Sequence, residues 1–143
     1  MRNFGQIAVR AAFVIVCLLG ALFAAHSFIG RASISYRPLA TGLAVVGVLA
    51  VVYSEFMLVR IVRFEYEHHR ASWLEDDCPR VSFWGPDDHR ASYGAGKRVR
   101  WQLVFRTPGW VGSESWCAGW LKGYRIGWLV STFCFLTFFI FVI

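Results

Sequence analysis

Residues 112–143 read GSESWCAGWLKGYRIGWLVSTFCFLTFFIFVI, and this segment decides the fold. From Ile126 to Ile143 it holds no charged residue. At ~1.5 Å per residue, these positions reach ~27 Å as an α-helix, close to the ~30 Å hydrocarbon core of a bilayer. The segment therefore predicts a membrane-spanning helix, which begins near Ser113.

Every fourth residue of this helix falls into one of two rows, because residues four apart lie nearly above one another. A glycine inside a helix costs up to ~1 kcal/mol relative to alanine, so glycines in register predict close packing against another helix. The alternative is chance in a glycine-rich chain. The small-residue row comprises Ser115, Gly119, Gly123, Gly127 and Ser131, and the aromatic row comprises Trp116, Trp120, Tyr124 and Trp128.

Two further charge-poor runs precede this segment. Residues 11–30 contain only Cys17 and His26 as ionisable groups, and residues 38–59 contain Glu55 as their only charge. Each run is long enough to cross a bilayer, and the composition, 57% hydrophobic, is too apolar for an ordinary soluble domain. The sequence predicts an all-α integral membrane protein with three transmembrane helices.

Small residues on the first two helices predict that these helices pack tightly together. Residues 1–37 comprise a basic head, the first helix and its link to the second helix. The link, residues 30–37, is short and polar, so the first two helices should form an antiparallel hairpin. The residues expected to make this contact are Gly20 and Ala24 on the first helix and Ala40, Ala44 and Gly47 on the second.

The second helix is expected to continue beyond the membrane, over residues 38–74. No glycine or proline interrupts residues 59–73, and the apolar and aromatic side chains there fall close to one helical stripe. Pro79, after a run of acidic residues, marks the end. The sequence shows no separate domain that could cover the apolar stripe of this projecting helix, which indicates a partner protein.

Residues 75–112 are expected to form an extramembrane loop region that carries a short β-strand. From Lys97 to Arg106, apolar and polar residues alternate, and a period of two is typical of strands. Val81 and Phe83 could supply a second strand. Residues 113–143 then form the amphiphilic start and the span of the third helix.

The ionisable groups of the spans and the projection are the candidates for chemistry. Glu65 and His68 have the E-x-x-H spacing of carboxylate metal sites, but those sites need a second copy, so they are weak metal candidates. Glu55 could be functional or could be neutralised by Arg60. His26 could be a ligand or an interfacial histidine. The sequence predicts no catalytic residues and no metal or other cofactor.

A lipid site is a further hypothesis for the third helix. The aromatic row covers more of the helix than a membrane-interface belt requires, and two basic residues beside it could hold a lipid phosphate. A bound phospholipid is therefore possible. The residues of this hypothetical site are Trp116, Trp120, Lys122, Tyr124, Arg125 and Trp128.

The net charge of +6 comes mostly from arginines next to apolar runs. Anionic lipid headgroups and membrane topology explain this pattern better than nucleic acid, so no nucleic-acid partner is expected. Basic residues are concentrated in residues 59–125, which predicts that this region lies on the positive-inside face. Cys78 and Cys117 could pair, although their spacing does not require a disulfide.

Function is predicted by class only. The sequence favours a non-catalytic accessory subunit of a large membrane complex with different chains as partners, acting in assembly, stabilisation and lipid binding. An energy-transducing membrane is the expected location, with the mitochondrial inner membrane and its respiratory chain as the first guess. The alternatives are a small membrane enzyme or cofactor protein that uses His and Glu ligands, and a homo-oligomeric channel or transporter component.

Overall fold

The computed structural model describes residues 37–82 and 85–142. Their regular elements are helices α1 (Arg37–His68), α2 (Arg70–Glu75), α3 (Tyr93–Phe105), a 3₁₀ helix (Gly109–Ser113) and α4 (Ser115–Val142). The predicted first transmembrane helix, with Gly20, Ala24 and His26, lies outside the described residues.

Helices α1 and α4 are long and apolar enough to cross a membrane, by length and composition. Only 22% of the most apolar window of α1 and 28% of that of α4 is buried. Exposed apolar side chains recur along both helices, as with Leu49 at 63% and Phe133 at 68% exposure. Such surfaces are stable against lipid or other apolar helices rather than against water.

The predicted helix over residues 38–74 is present but interrupted. α1 ends at His68, and His69 has a non-helical backbone (φ −126°, ψ 53°) before α2 begins. The amide of His69 still donates to the carbonyl of Glu65 at 2.8 Å, and the amide of Trp73 donates to the carbonyl of His69 at 3.1 Å. The chain therefore changes direction at His69 with its backbone hydrogen bonds largely preserved.

The described residues fall into two compact units. Unit 1 contains residues 37–51 and 129–142, and unit 2 contains residues 52–128. In unit 1, Ala40 and Ala44 are buried against Phe138. A Cβ atom on Gly47 would lie 3.3 Å from the Cβ of Cys134. Small residues on α1 thus allow close approach of α4 in this unit.

Unit 2 has an apolar core to which every one of its helices contributes. The side chain of Trp73 is fully buried, and its indole Nε1 donates to the carbonyl of Pro79 at 3.2 Å. This bond fixes α2 against the segment that follows it. The most buried core residues are Leu58, Ile61, Val62, Trp73, Val99, Leu103, Val111, Cys117, Leu121 and Tyr124.

The connection between α2 and α3 is held by hydrogen bonds and ion pairs. Asp77 adopts a left-handed backbone (φ 60°) after α2, and the amide of Cys78 donates back to the carbonyl of Trp73 at 2.9 Å, as in a Schellman C-cap. Asp88 accepts from the backbone amide of Arg90 at 2.9 Å and from Arg70 Nη2 at 2.5 Å. These bonds hold the pKa of Asp88 well below its usual range.

The predicted β-strand over residues 97–106 is wrong. Residues 97–105 belong to α3, and within the described ranges there is no strand, only an isolated bridge between Pro79 and Ser92. Val81, proposed for a second strand, lies in an irregular segment, and Phe83 is outside the described residues.

The error has a physical cause in the spacing of four apolar residues. Val99 and Leu103 are four apart and buried, whereas Trp101 and Phe105 are four apart and 56% and 76% exposed. Two helical stripes on different faces therefore give the same alternation as one face of a strand. The stronger signal was the cap, because the Ser92 side chain accepts from the backbone amide of Ala95 at the start of α3.

Candidate functional site

Three helices and the 3₁₀ helix of unit 2 line a half-open cavity of about 250 Å³. α1 contributes its last turns before the bend at His69, and α2 follows directly. The C-terminal end of α3 and the first turn of the 3₁₀ helix complete the wall. The lining residues are Ile61, Glu65, Ser72, Glu75, Asp76, Val99, Gln102, Leu103, Arg106, Thr107, Pro108, Gly109 and Trp110. Polar and ionisable side chains therefore converge on a space bounded by apolar core residues.

Glu65 is the most buried ionisable residue of this cavity, with 2% of its surface exposed. It follows Leu58, Ile61 and Val62 at helical spacing, so it lies on the face of α1 that forms the core. Its Oε1 atom is buried and has no hydrogen-bond partner among the described residues. An unpartnered buried acceptor is unfavourable by ~1–3 kcal/mol.

Burial also changes the protonation of this carboxyl group. Glu65 lies beyond Arg60, where the charge-poor part of α1 ends, and therefore outside the apolar span. Desolvation, and secondarily the nearby charge of Asp76, raise the pKa of Glu65 to about 8. At neutral pH this side chain is mainly a neutral acid that can exchange its proton near physiological pH.

Arg125 stabilises the edge of the cavity at the end of α3. Its Nε donates to the carbonyl of Leu103 at 2.9 Å, and its Nη2 donates to the carbonyl of Arg106 at 2.9 Å and to Thr107 Oγ1 at 3.2 Å. A guanidinium at a helix C-terminus satisfies carbonyls that lack intrahelical partners and complements the helix dipole. Arg125 therefore fixes the turn that carries Arg106 and Thr107.

Glu55 forms an ion pair with Arg100 rather than with Arg60, its expected partner. Arg100 Nη1 and Nη2 both contact the carboxylate, the latter at 3.0 Å from Oε2. The Arg60 guanidinium instead stacks over the rings of Phe56 and Trp120, at 4.7 and 5.4 Å. The carboxylate near the end of the apolar run of α1 is thus neutralised by α3.

The aromatic row is divided between the core and the surface. Tyr124 is buried and donates to the carbonyl of Arg100 at 2.8 Å, whereas Trp116 is exposed and packs on Trp120 with ring centroids 4.6 Å apart. Trp128 meets the ring of Trp101 on α3 at 5.8 Å. With Arg125 bound to carbonyls, Lys122 is the exposed cation of the predicted lipid site. The lipid site itself stays a prediction.

The small-residue row changes its surroundings along α4. A Cβ on Gly123 would lie 2.8 Å from the Tyr53 hydroxyl, so α1 approaches closely there. Gly127 and Ser131 are also buried. Around Gly119, however, no described residue lies within 4 Å of a built Cβ. The expected pairing of Ala40, Ala44 and Gly47 with the first helix lies outside the described residues.

The weak metal candidates separate in the structure. Glu65 lines the cavity, whereas the His68 ring stacks on Phe64 with centroids 4.2 Å apart. Across residues 37–82 and 85–142, no group of three or more His, Cys, Asp or Glu residues is placed to hold a metal ion. Cys78 and Cys117 are buried free thiols and do not form the disulfide that their positions allowed.

Sequence reasoning missed most of the cavity. Ser72, Gln102 and Thr107 belong to no motif, and they come together only because α2 and α3 fold against α1. The available signal was the spacing of Glu65, which continues the apolar stripe of Leu58 and Ile61. A carboxylate on the buried face of an amphipathic helix indicates an unusual environment, because acidic side chains are rarely buried unless they are paired.

Comparison of the chain with protein-family models, with curated proteins and with solved structures finds no match.

Proposed function

We propose that the chain is a non-catalytic accessory subunit of a hetero-oligomeric membrane complex, with three transmembrane helices including one over residues 7–28. The observation that carries this proposal is the incomplete cover of α1 and α4, whose most apolar windows are 22% and 28% buried. Large apolar side chains are exposed on both helices, and they need lipid or neighbouring helices as surroundings.

The surface of α4 near Gly119 supports an association with another helix. The glycine is exposed, and the same row is occupied by α1 at Gly123. One row of small residues can therefore serve two contacts: an internal one from Gly123 onward and an external one around Gly119. Exposed Trp116 beside it offers a large, rigid contact surface.

Lipid contact is the second part of the proposed role. Trp101 and Phe105 are exposed on α3, and Trp101 touches Trp128 in the apolar part of α4. Aromatic residues of this kind are enriched at the membrane–water interface, and the basic residues of unit 2 favour anionic headgroups. Energy-transducing membranes, such as the mitochondrial inner membrane with its respiratory chain, hold large complexes with small added subunits and are the proposed location.

A leucine at Gly119 should test the external contact. We expect the tagged wild-type chain to co-purify with stoichiometric amounts of different chains after mild detergent extraction. Gly119→Leu should lower this recovery about tenfold or more, since a contact loss of ~1.4 kcal/mol is already tenfold. Its melting temperature should equal or slightly exceed that of the wild type, because no described side chain occupies that space and leucine is the better helix former.

Lys97→Gln provides a control, since Lys97 is exposed on α3 and belongs neither to the small-residue row nor to the predicted lipid site. It should keep the co-purifying chains. Recovery of the wild type only with copies of itself would overturn the proposal and favour the homo-oligomeric channel. Full recovery of partners by Gly119→Leu would remove Gly119 from the contact surface.

A further inference from the structure

The cavity of unit 2 has an excess of negative charge on its wall. Its ionisable lining groups are Glu65 from α1, Glu75 and Asp76 from α2 and its C-cap, and Arg106 from the C-cap of α3. Three carboxyl groups therefore face one guanidinium. The carboxyl group of Glu65 interacts with Asp76 and Trp110, but its buried Oε1 atom has no hydrogen-bond partner among the described residues and can accept from a bound donor.

We propose that this cavity binds a primary ammonium group, which donates a hydrogen bond to Glu65 Oε1 and is held by the negative charge of Glu75 and Asp76. An ammonium group carries a positive charge and three donors. It therefore supplies a positive charge opposite the carboxyl groups and a hydrogen-bond donor for Glu65 Oε1. The inference does not depend on the chain having partner subunits.

The dimensions favour a small group. About 250 Å³ is below the ~300 Å³ at which pockets for drug-sized molecules begin. An aminoethyl group fits this space. The hydroxyl of Thr107 and the amide of Gln102 offer further polar contacts to the rest of the molecule that carries the amine.

The position of the cavity allows two sources of the ammonium group. Glu65 is five residues beyond Arg60, where the charge-poor run of α1 ends, and five residues of helix span ~7.5 Å. The polar headgroup layer on each side of a bilayer is ~5–8 Å thick. With the apolar run of α1 in the bilayer, as proposed above, Glu65 would lie at headgroup depth, where either an ethanolamine headgroup or a dissolved amine can reach it.

Binding must be coupled to a proton. With a pKa of about 8, Glu65 is mostly protonated at pH 6.5, and the ammonium group must displace that proton to solvent. The bound state pairs the ammonium with the Glu65 carboxylate. Affinity should therefore increase as the pH rises to about 8 and change little above it.

Calorimetric titration of the purified full-length chain with ethanolamine tests the proposal. From pH 6.5 to pH 8.5 the affinity should increase on the order of 20-fold, following the ionised fraction of Glu65. Nearly one proton should be released per ethanolamine bound at pH 6.5. Glu65→Gln should weaken binding at pH 8.5 at least tenfold and abolish the pH dependence.

Glu67→Gln is the matched control, because Glu67 is on the same helix but pairs with Arg63 on the exposed surface at 2.9 Å. It should bind as the wild type does. Choline, which has no N–H donor, should bind at least tenfold more weakly than ethanolamine. If Glu65→Gln does not fold, the proton release of the wild type and the preference over choline decide the question.

Lipid nanodiscs distinguish the two sources. Phosphatidylethanolamine in a phosphatidylcholine nanodisc should compete with free ethanolamine if the headgroup occupies the cavity, and should not compete if the ligand is a dissolved amine. Either result supports an ammonium site. Binding that is independent of pH, equal for choline, or unchanged in Glu65→Gln would overturn the proposal, as would the absence of binding by both ethanolamine and the lipid.

Discussion

Gly96→Ala is expected to destabilise unit 2 by about 2–3 kcal/mol, although alanine is the better helix former. A Cβ on Gly96 would clash with the carbonyl oxygen of Arg80, because it would lie far inside van der Waals contact. That carbonyl belongs to a fixed segment, because the amide of Arg80 donates to the carbonyl of Ser92 at 2.9 Å. The clash therefore outweighs the ~1 kcal/mol that helix propensity returns.

Gly94→Ala is the control for this substitution, since it lies in the first turn of the same helix. The nearest atom to its built Cβ is the Ser92 hydroxyl at 3.5 Å, an ordinary contact. We expect Gly94→Ala to be neutral or slightly stabilising, and Gly96→Ala to melt about 6–10 °C lower in detergent. Equal melting temperatures would show that α3 does not pack on residues 80–81.

Arg100→Met is expected to destabilise the chain by about 2 kcal/mol. The substitution leaves the Glu55 carboxylate without its bidentate partner at the end of an apolar run, and it removes a bond to the carbonyl of Val81 at 3.3 Å. Breaking a fully buried pair costs ~3–5 kcal/mol. The side chains of Glu55 and Arg100 are 31% and 35% exposed, so the expected cost of breaking this pair is lower.

A double-mutant cycle separates the ion pair from the loss of packing. Glu55→Gln combined with Arg100→Met should recover at least half of the lost stability, since no unpaired charge remains. Arg98→Met is the control on the same helix, because the pair of Arg98 with Asp77 is 65% and 64% exposed and should contribute less than ~1 kcal/mol. Glu55→Gln alone completes the cycle, and single-variant deficits that add up to the deficit of the double variant would rule out a stabilising pair.

The parts of the fold that the sequence predicted are those fixed by local pattern. The apolar runs at residues 38–59 and 126–143 correspond to the two candidate membrane helices, α1 and α4. The projection beyond Arg60 and its end before Pro79 also follow from composition. Charge exclusion and helix-breaking residues act over a few turns, so they can be recognised without knowledge of the packing.

The parts that failed depend on contacts distant in the chain. Glu55 is 45 residues from Arg100, whereas Arg60 was the obvious local candidate. The alternation over residues 97–106 matched a strand because period two and paired four-residue spacings overlap in a short segment. Ser92 as a cap, and Gly96 at a close approach, would have favoured the helix.

The candidate cavity could be predicted only at Glu65. A carboxylate that continues the stripe of Leu58 and Ile61 is visible in the sequence, but its environment is made by Asp76 and Trp110. Those two residues reach Glu65 because the chain bends at His69 and α4 fixes the end of α3 through Arg125. Neither the bend at His69 nor the contact made by Arg125 leaves a local pattern in the sequence.

The most direct test of the proposed role is native gel separation of the untagged chain after mild detergent extraction of its own membranes, followed by mass spectrometry of the band. We expect the chain to migrate with a large complex of different integral membrane proteins, at a constant ratio to them. Migration alone, or as an assembly of its own copies, would contradict an accessory subunit and would redirect attention to Glu55 and the cavity of Glu65 as parts of a channel or an enzyme.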